Sequence, residues 1–352
     1  MSNQKYAVGL VGVTGYTGME MLRCLLNHPS FELTTVTSRQ EAGKTIAQLF
    51  AQLQSTALGN LVISEPDVDQ LARDCQLVFL AVPHGTAMQI ASALVQRGVK
   101  VVDLSADFRL RSRETFVTWY SCQHQAPELL SDAVYGLPEL YAADIAQARL
   151  VANPGCYPTS VLLGLYPALQ AGLIQAQGIV ADSKSGASGA GRGAKVGTLF
   201  CEVSDTFKAY GLGTHRHTPE IDQEVSRVAQ KTVQVSFNPH LLPVNRGILT
   251  TLYTMALDGV GIEDLRRAYA AFDREHPWIR LQSKGVLPEL KNIRGTMYCD
   301  MGVVLDERTG RAIIVSAIDN LCRGASGQAL ANANLMCNLP LTTGLNLPAL
   351  VP

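Results

Sequence analysis

Short apolar runs rich in β-branched residues alternate along this chain with glycine turns and with stretches of helical spacing. Residues 5–13 have the continuous apolar character of a strand buried on both faces of a parallel sheet. That run enters a glycine-rich turn, Gly12 to Gly18, and then Met19 to Leu26, whose apolar positions recur with helical period. A second strand is predicted at Phe31–Thr37 and a third at Leu77–Val82, which ends at Pro83-His84-Gly85. A helix over Ala87–Gln96, a strand over Val99–Leu104 and a short strand over Arg149–Ala152 continue the rhythm. Strand and helix in regular alternation predict an α/β fold with a doubly wound parallel sheet over residues 1–155. Residues 110–148 are mixed in character and are expected to form an excursion on the substrate side.

The pattern changes in the second half. Ser160–Tyr166 reads as an apolar helix and Ile179–Ser183 as a strand opening a second domain. Strands near 232–237, 248–256 and 311–318, with a helix at 262–275, predict an α+β domain over residues 156–325 whose mixed sheet is largely antiparallel. A last helix from Ser326 to Met336 is long enough to return to the first domain, so residues 326–352 are expected to pack there.

Composition narrows the function. Of 352 residues, 47% are hydrophobic and 17% charged, with a net charge of −1, which gives ample core and no basic excess for nucleic acid or a membrane surface. No apolar run approaches the ~18 residues of a membrane span, and the first apolar run, broken by glycines, does not read as a signal peptide. The eight cysteines contain no CxxC pair, which fits a reduced, cytoplasmic setting and argues against structural zinc. His215 and His217 form an H-x-H pair that nothing nearby completes as a metal site, so no metal is expected.

Six stretches carry candidate chemistry. Cys156, in Asn153-Pro154-Gly155-Cys156-Tyr157-Pro158-Thr159, stands at a strand-to-helix junction where the helix dipole favours thiolate. A buried thiol beside a Pro-Gly turn is the competing reading of that residue alone. The GxxGxxG turn of Gly12, Gly15 and Gly18 suits a pyrophosphate facing a helix N-terminus, or else is a tight turn without ligand. The second strand ends in Ser38-Arg39 with no acid to bind a ribose hydroxyl, and a hydroxyl followed by a guanidinium suits a 2′-phosphate, hence NADP. Arg109 is placed to clamp an anionic substrate group or to pair with Asp107. The run Lys184 to Gly193 reads as a flexible linker or a loop close to a ligand, and Lys184, Arg192 and Lys195 tilt it towards an anion. Thr218 is expected to cap a helix with Pro219 in its first turn, leaving His217 just before the N-terminus as an acid/base candidate. A cysteine nucleophile beside a nicotinamide cofactor implies covalent acyl chemistry.

The blocks at 12–18, 37–39, 103–109, 153–159, 183–192, 215–221 and 319–329, in this order, resemble those of the N-acetyl-gamma-glutamyl-phosphate reductases of the aspartate-semialdehyde dehydrogenase superfamily. Ala187 and the Cys322-Arg323 pair depart from the expected pattern without touching a reacting group. The resemblance implies a Rossmann-type first domain, a catalytic and oligomerisation domain, and a homodimer or homotetramer. It implies NADPH-dependent reduction of an acyl phosphate, a step of arginine biosynthesis. Cys156 would carry the acyl group, His217 would act as acid/base, and His215 and Glu220 would support it. Gly12, Thr14, Gly15, Tyr16, Thr17, Gly18, Ser38, Arg39, Pro83, Gly186, Ser188, Gly189 and Asn320 would border NADP(H). Arg109, Ser105 and Lys184 would face the small-molecule acyl phosphate. A sister reductase for an aspartyl or aminoadipyl phosphate, and a non-catalytic NADP sensor, are the competing readings.

Overall fold

The computed structural model describes residues 5–350. It divides into two units: the chain up to Pro154 with Ala325–Asn346, and Gly155–Gly324 with the segment from Leu347. Residues 1–4 and 351–352, the outer ends of the expected domains, lie outside the described residues.

The first unit runs β1 (Tyr6–Val11), α1 (Tyr16–Leu25), β2 (Phe31–Thr37), α2 (Ile46–Leu49), β3 (Ile63–Ser64), α3 (Val68–Asp74) and β4 (Leu77–Leu80). It continues through α4 (Ala87–Gln96), β5 (Lys100–Asp103), α5 (Arg113–Tyr120), β6 (Val134–Tyr135), α6 (Pro138–Gln147) and β7 (Leu150–Ala152). The strands align as β3-β2-β1-β4-β5-β7-β6, and every pairing is parallel. Continuous apolar runs become strands covered on both faces: all four residues of β4 are buried. The strand order reverses between β1 and β4, so a crevice opens at their carboxyl ends, where Gly12–Gly18 and Pro83 follow. Residues 110–148 are not an excursion. They supply α5, α6 and the edge strand β6, because Phe116 is fully buried in the core formed with Leu94, Val101 and Phe108.

The second unit contains α7 (Cys156–Gln170), β8 (Val180–Gly186), α8 (Phe200–Val203), β9 (Lys208–Ala209), α9 (Thr218–Ala229) and β10 (Ser236–Leu242). It continues with β11 (Ile248–Met255), α10 (Ile262–Glu275), β12 (Ile279–Leu281), β13 (Cys299–Asp306) and β14 (Arg311–Ile318). The chain then re-enters the first unit with α11 (Gly327–Met336), which packs on α1, α6 and β5. The second sheet runs β12-β13-β14-β11-β8-β10-β9. It is mixed and largely antiparallel, with parallel pairing only of β8 with β10 and of β12 with β13 among the described residues.

Helix α7 packs on β11 and β14, flanked by α9 and α10. Leu163 and Leu165, nearly or fully buried, contribute about 1.5–3 kcal/mol each. The helix also reaches the sheet through a buried hydroxyl cluster. Ser160 Oγ lies 2.9 Å from Thr250 Oγ1 and 2.8 Å from Ser316 Oγ, and Ser183 Oγ lies 2.8 Å from Thr250 Oγ1. Gly164 permits the approach, since a Cβ there would lie 2.5 Å from Leu252 Cδ1. These contacts fix the helix whose first residue is Cys156.

Three expectations shift. Strand β10 starts at Ser236 and runs through Pro239, which is tolerated because its outer neighbour β9 is only two residues long. Strands β12 and β13 were not anticipated. The tail from Leu347, expected with the first domain, groups with the second unit, where Leu350 N donates to Arg294 O at 2.9 Å.

Candidate active site

Helix α1 starts at a bare N-terminus. Gly15 is its N-cap, no side chain caps it, and its first turn holds no acid. The three glycines of the turn are there for different reasons. Gly12 has φ +89, and a Cβ on it would lie 2.3 Å from Ala81 O; one on Gly18 would lie 2.4 Å from Val13 O. These two are required by the protein's own packing. A Cβ on Gly15 would meet only Thr17 Oγ1, at 3.8 Å, so the fold leaves open space over the helix N-terminus. Thr14, Tyr16 and Thr17 are partly exposed around that space. Ser38 and Arg39 follow β2 directly, Ser38 buried and Arg39 exposed, while Pro83 is exposed after β4. A pyrophosphate fits the open N-terminus of α1.

Ser105 and Arg109 stand differently from the open rim expected of them. The Ser105 hydroxyl donates to Asp103 Oδ2 at 2.8 Å and accepts from Asp107 N at 3.1 Å. Arg109 is 6% exposed. Its Nε donates to Asn153 O at 2.8 Å and its Nη2 to Leu104 O at 2.9 Å, tying the ends of β5 and β7 together. The Asp107 carboxylate accepts from Gly85 N and Ala87 N at 2.7 and 3.1 Å, at the start of α4. Burial, then the neighbouring Asp107 charge, pushes Asp103 up to about 7.

In the second unit the residues on both sides of Cys156 are held from α9. Cys156 is the first residue of α7, whose N-cap is Gly155 and whose first turn holds no acid. Glu220, in the first turn of α9 and 1% exposed, accepts from Gly155 N at 2.8 Å. On the other side, the Tyr157 ring meets His215 edge-on at 5.6 Å and His217 at 6.0 Å, and its hydroxyl lies 2.8 Å from that of Tyr210. His215 packs also against Tyr210, Phe237 and His217. His217, rather than Thr218, is the N-cap of α9, and its N–H donates to His215 Nδ1 at 3.1 Å. That bond leaves the proton of neutral His215 on Nε2. Burial, then the Arg216 cation, lowers His215 to about 4. The Tyr157 hydroxyl is pushed well up, and Tyr210 up to about 12, mainly by burial.

The glycine-serine stretch is not a flexible linker. Lys184, Ser185 and Gly186 complete β8, and residues 187–190 form one tight 3-10 turn. Gly186 N, Ala187 N and Ser188 N donate to Gly247 O, Val244 O and Asn245 O at 2.9, 2.8 and 3.1 Å. A Cβ on Gly186 would lie 2.8 Å from the Asn245 carbonyl, and one on Gly189 3.1 Å from Ser185 Oγ. Asn320, 2% exposed, closes the loop by accepting from Gly247 N and donating to Ser188 Oγ, at 2.8 and 2.9 Å. Lys184 points outward from the strand and pairs with Asp182 at 2.6 Å, so its charge is compensated within β8.

Tyr157, Tyr210 and Phe237 were missed by sequence reasoning. No motif spacing links residues this far apart, although Tyr157 directly follows the cysteine.

Family models of the semialdehyde dehydrogenase NAD binding domain and of the semialdehyde dehydrogenase dimerisation domain match residues 7–148 and 156–320. An N-acetyl-gamma-glutamyl-phosphate reductase of Geobacter sulfurreducens is 49% identical over 346 residues, which is 98% of this chain and 99% of that protein. One from Desulfotalea psychrophila is 48% identical over the same shares. The chain belongs to the N-acetyl-gamma-glutamyl-phosphate reductase family. As a member of that reductase family it is an oxidoreductase with a nicotinamide-nucleotide-binding domain and a dimerisation domain. Its fold matches aspartate semialdehyde dehydrogenase II of Vibrio cholerae complexed with ASA, with TM-score 0.73 at 17% identity over 95% of this chain and 99% of that one. Aspartate semialdehyde dehydrogenase with NADP from Candida albicans matches with TM-score 0.71 at 17% identity over the same shares. Among the described residues no helix is long and apolar enough to cross a membrane.

Proposed function

We propose that this chain reduces N-acetyl-L-glutamyl 5-phosphate to N-acetyl-L-glutamate 5-semialdehyde with NADPH, releasing phosphate, through a thioester on Cys156. The observation that carries the reading is the placement of Cys156 at the bare N-terminus of α7, with Glu220 on the residue before it and the two histidines on the residue after it.

The cofactor would lie on α1. The open space at Gly15 receives the pyrophosphate, Gly12 and Gly18 set the turn, and Thr14, Tyr16 and Thr17 border it. Ser38 and Arg39 would select the 2′-phosphate, Pro83 would border the cofactor after β4, and Gly186, Ser188, Gly189 and Asn320 would border the nicotinamide. When bound, NADPH supplies the hydride that reduces the acyl group.

The residues do the rest. The helix dipole of α7 favours the Cys156 thiolate. Its sulfur attacks the acyl carbonyl, the C–O bond to phosphate breaks, and a thioester remains. Backbone N–H groups of the first turn of α7 face the oxyanion, an effect commonly worth ~3 kcal/mol. After reduction His217 protonates the oxyanion, then takes that proton back as the C–S bond breaks and the aldehyde leaves. His217 takes this role because His215, held near 4, stays neutral at physiological pH and cannot give up a second proton there. His215 instead orients His217 through its backbone N–H. Arg109 acts from behind the strand ends with Ser105, and Lys184 from the face of β8, in shaping the anionic substrate's surroundings.

The match to a dimerisation domain supports a homodimer or homotetramer. Eight free cysteines support a reducing, cytoplasmic setting, and the reaction places the enzyme in arginine biosynthesis.

The test is phosphate-dependent NADP reduction with N-acetylglutamate, aspartate and aminoadipate semialdehydes, repeated with NAD. The acetylated glutamate compound with NADP should give the highest kcat/KM by at least tenfold. A preference for an unacetylated semialdehyde, or for NAD, would contradict the substrate or cofactor assignment.

A further inference from the structure

In the 319–329 block, Asn320 pins the glycine-serine loop through Gly247 N and Ser188 Oγ. Two other residues of that block bear on Cys156: Gly324 lies against it, and Asp319 holds the turn that carries Gly324. Gly324 has no positive φ, so its backbone does not require glycine. Space does: a Cβ on Gly324 would lie 2.7 Å from Cys156 Cβ, closer than real side chains approach, and 3.1 Å from Cys156 Cα, a tight contact. Gly324 sits in a π-type turn, Cys322–Ser326, of the kind that recurs at functional sites.

Asp319 holds that turn. Its backbone carbonyl accepts from Gly324 N at 2.8 Å. Its carboxylate, fully buried, accepts from Leu321 N and Cys322 N through Oδ1 at 2.8 and 2.7 Å, and from Gly295 N through Oδ2 at 2.7 Å. Arg246 Nη1 lies 3.3 Å from Oδ2 and supplies the countercharge. A buried carboxylate with this many N–H donors is rigid, and displacing it leaves a buried charge without partners.

We propose that Gly324 and Asp319 are positioning residues for Cys156. The absent side chain at 324 seats the Cys156 Cβ, and the Asp319 hub fixes the height of that seat, so the sulfur is held at the helix N-terminus. This rests on the reading of Cys156 as nucleophile. To bring the 2.7 Å approach out to the 3.4 Å of ordinary contact, an added methyl must displace Cys156 or the turn by about 0.7 Å, and misplacement approaching 1 Å can slow a positioned reaction by about 10²-fold.

The experiment uses the full-length enzyme and Gly324→Ala. Cys156 alkylation by iodoacetamide is followed by peptide mass spectrometry, with the exposed Cys201 as internal reference. Cys156 labelling relative to Cys201 should change at least fivefold, and kcat should fall at least tenfold while the NADPH dissociation constant stays within twofold. Asp319→Asn keeps an Oδ1 acceptor for Leu321 and Cys322 but turns an amide towards Gly295 N and Arg246, and should show the same effects about threefold. It serves as the decisive variant if Gly324→Ala does not fold. A purely structural role would lower thermal stability but leave the labelling ratio and kcat per folded enzyme unchanged, and that result overturns the proposal. Cys156→Ser separates the two levels: turnover retained in that variant defeats the nucleophile reading itself, whereas turnover lost there with normal labelling in Gly324→Ala defeats only the positioning claim.

Discussion

The turn that enters α1 and the turn that enters α7 begin alike. Each follows a parallel strand, has a glycine N-cap without a capping side chain, and carries no acid in the first helical turn. They part at what surrounds that glycine. At Gly15 the nearest atom a Cβ would meet is 3.8 Å away, so the helix terminus is left open. At Gly155 the backbone N–H is already taken by Glu220, the next residue is a cysteine whose Cα and Cβ face Gly324, and the residue after it, Tyr157, packs against His215 and His217. Under the proposed function, the same local electrostatics would serve a diffusible anion in one place and a reacting thiolate in the other. An open terminus selects for binding; a crowded one fixes the geometry of a single reacting atom.

Substitutions can break this contrast from either side. The largest effect is expected at the crowded turn. His217→Asn keeps the backbone N–H bonded to His215 but removes the proton carrier. It should lower kcat by about 10²–10³, within the range of general acid–base catalysis, with NADPH binding unchanged in a fluorescence titration. At the open turn, Gly15→Asp has room for its Cβ but places a carboxylate where a phosphate would sit. The NADPH dissociation constant should rise about 100-fold, roughly 2.7 kcal/mol, while Cys156 alkylation stays at the wild-type rate. If Gly15→Asp slowed alkylation as much as it weakened NADPH, the two turns would not be independent devices.

The smallest effect is on stability and concerns His215. Above pH 6.5 this group is neutral both folded and unfolded. Between 6.5 and about 4 the unfolded chain takes up a proton that the folded protein does not, so stability falls as pH is lowered through that window. By pH 4.5 the loss should reach ~2 kcal/mol. Denaturant unfolding of wild type and His215→Asn at pH 7 and 4.5 checks this, and the variant should show a smaller drop. An equal drop in both would mean that His215 is not held neutral by its aromatic surroundings.

The first unit was legible because its strands are apolar throughout and its turns are marked by glycine, two signals that depend only on neighbours in sequence. Residues 110–148 were misread because Phe116 looks like any loop aromatic until it is seen filling the core beside Leu94 and Val101. The second unit was less legible for a specific reason: its sheet is stitched to α7 by Ser160, Ser183, Thr250 and Ser316, all fully buried. Small polar residues in a core give no hydrophobic period, and the Lys184–Gly186 end of β8 therefore looked like loop. At the candidate site, Cys156 and the histidines announce themselves by residue type. The bond from Gly155 to Glu220, the seat at Gly324 and the inward use of Arg109 and Ser105 arise only from folding. Each joins residues whose types are common and whose spacing carries no pattern.

The central claim is that Cys156 carries the acyl group. Rapid mixing of the enzyme with N-acetylglutamyl phosphate in the absence of NADPH, followed by acid quench and peptide mass spectrometry, measures it directly. The account predicts one phosphate released per active site and an acyl adduct on the peptide containing Cys156, discharged when NADPH is added. No adduct, or an adduct on any other cysteine, would contradict it.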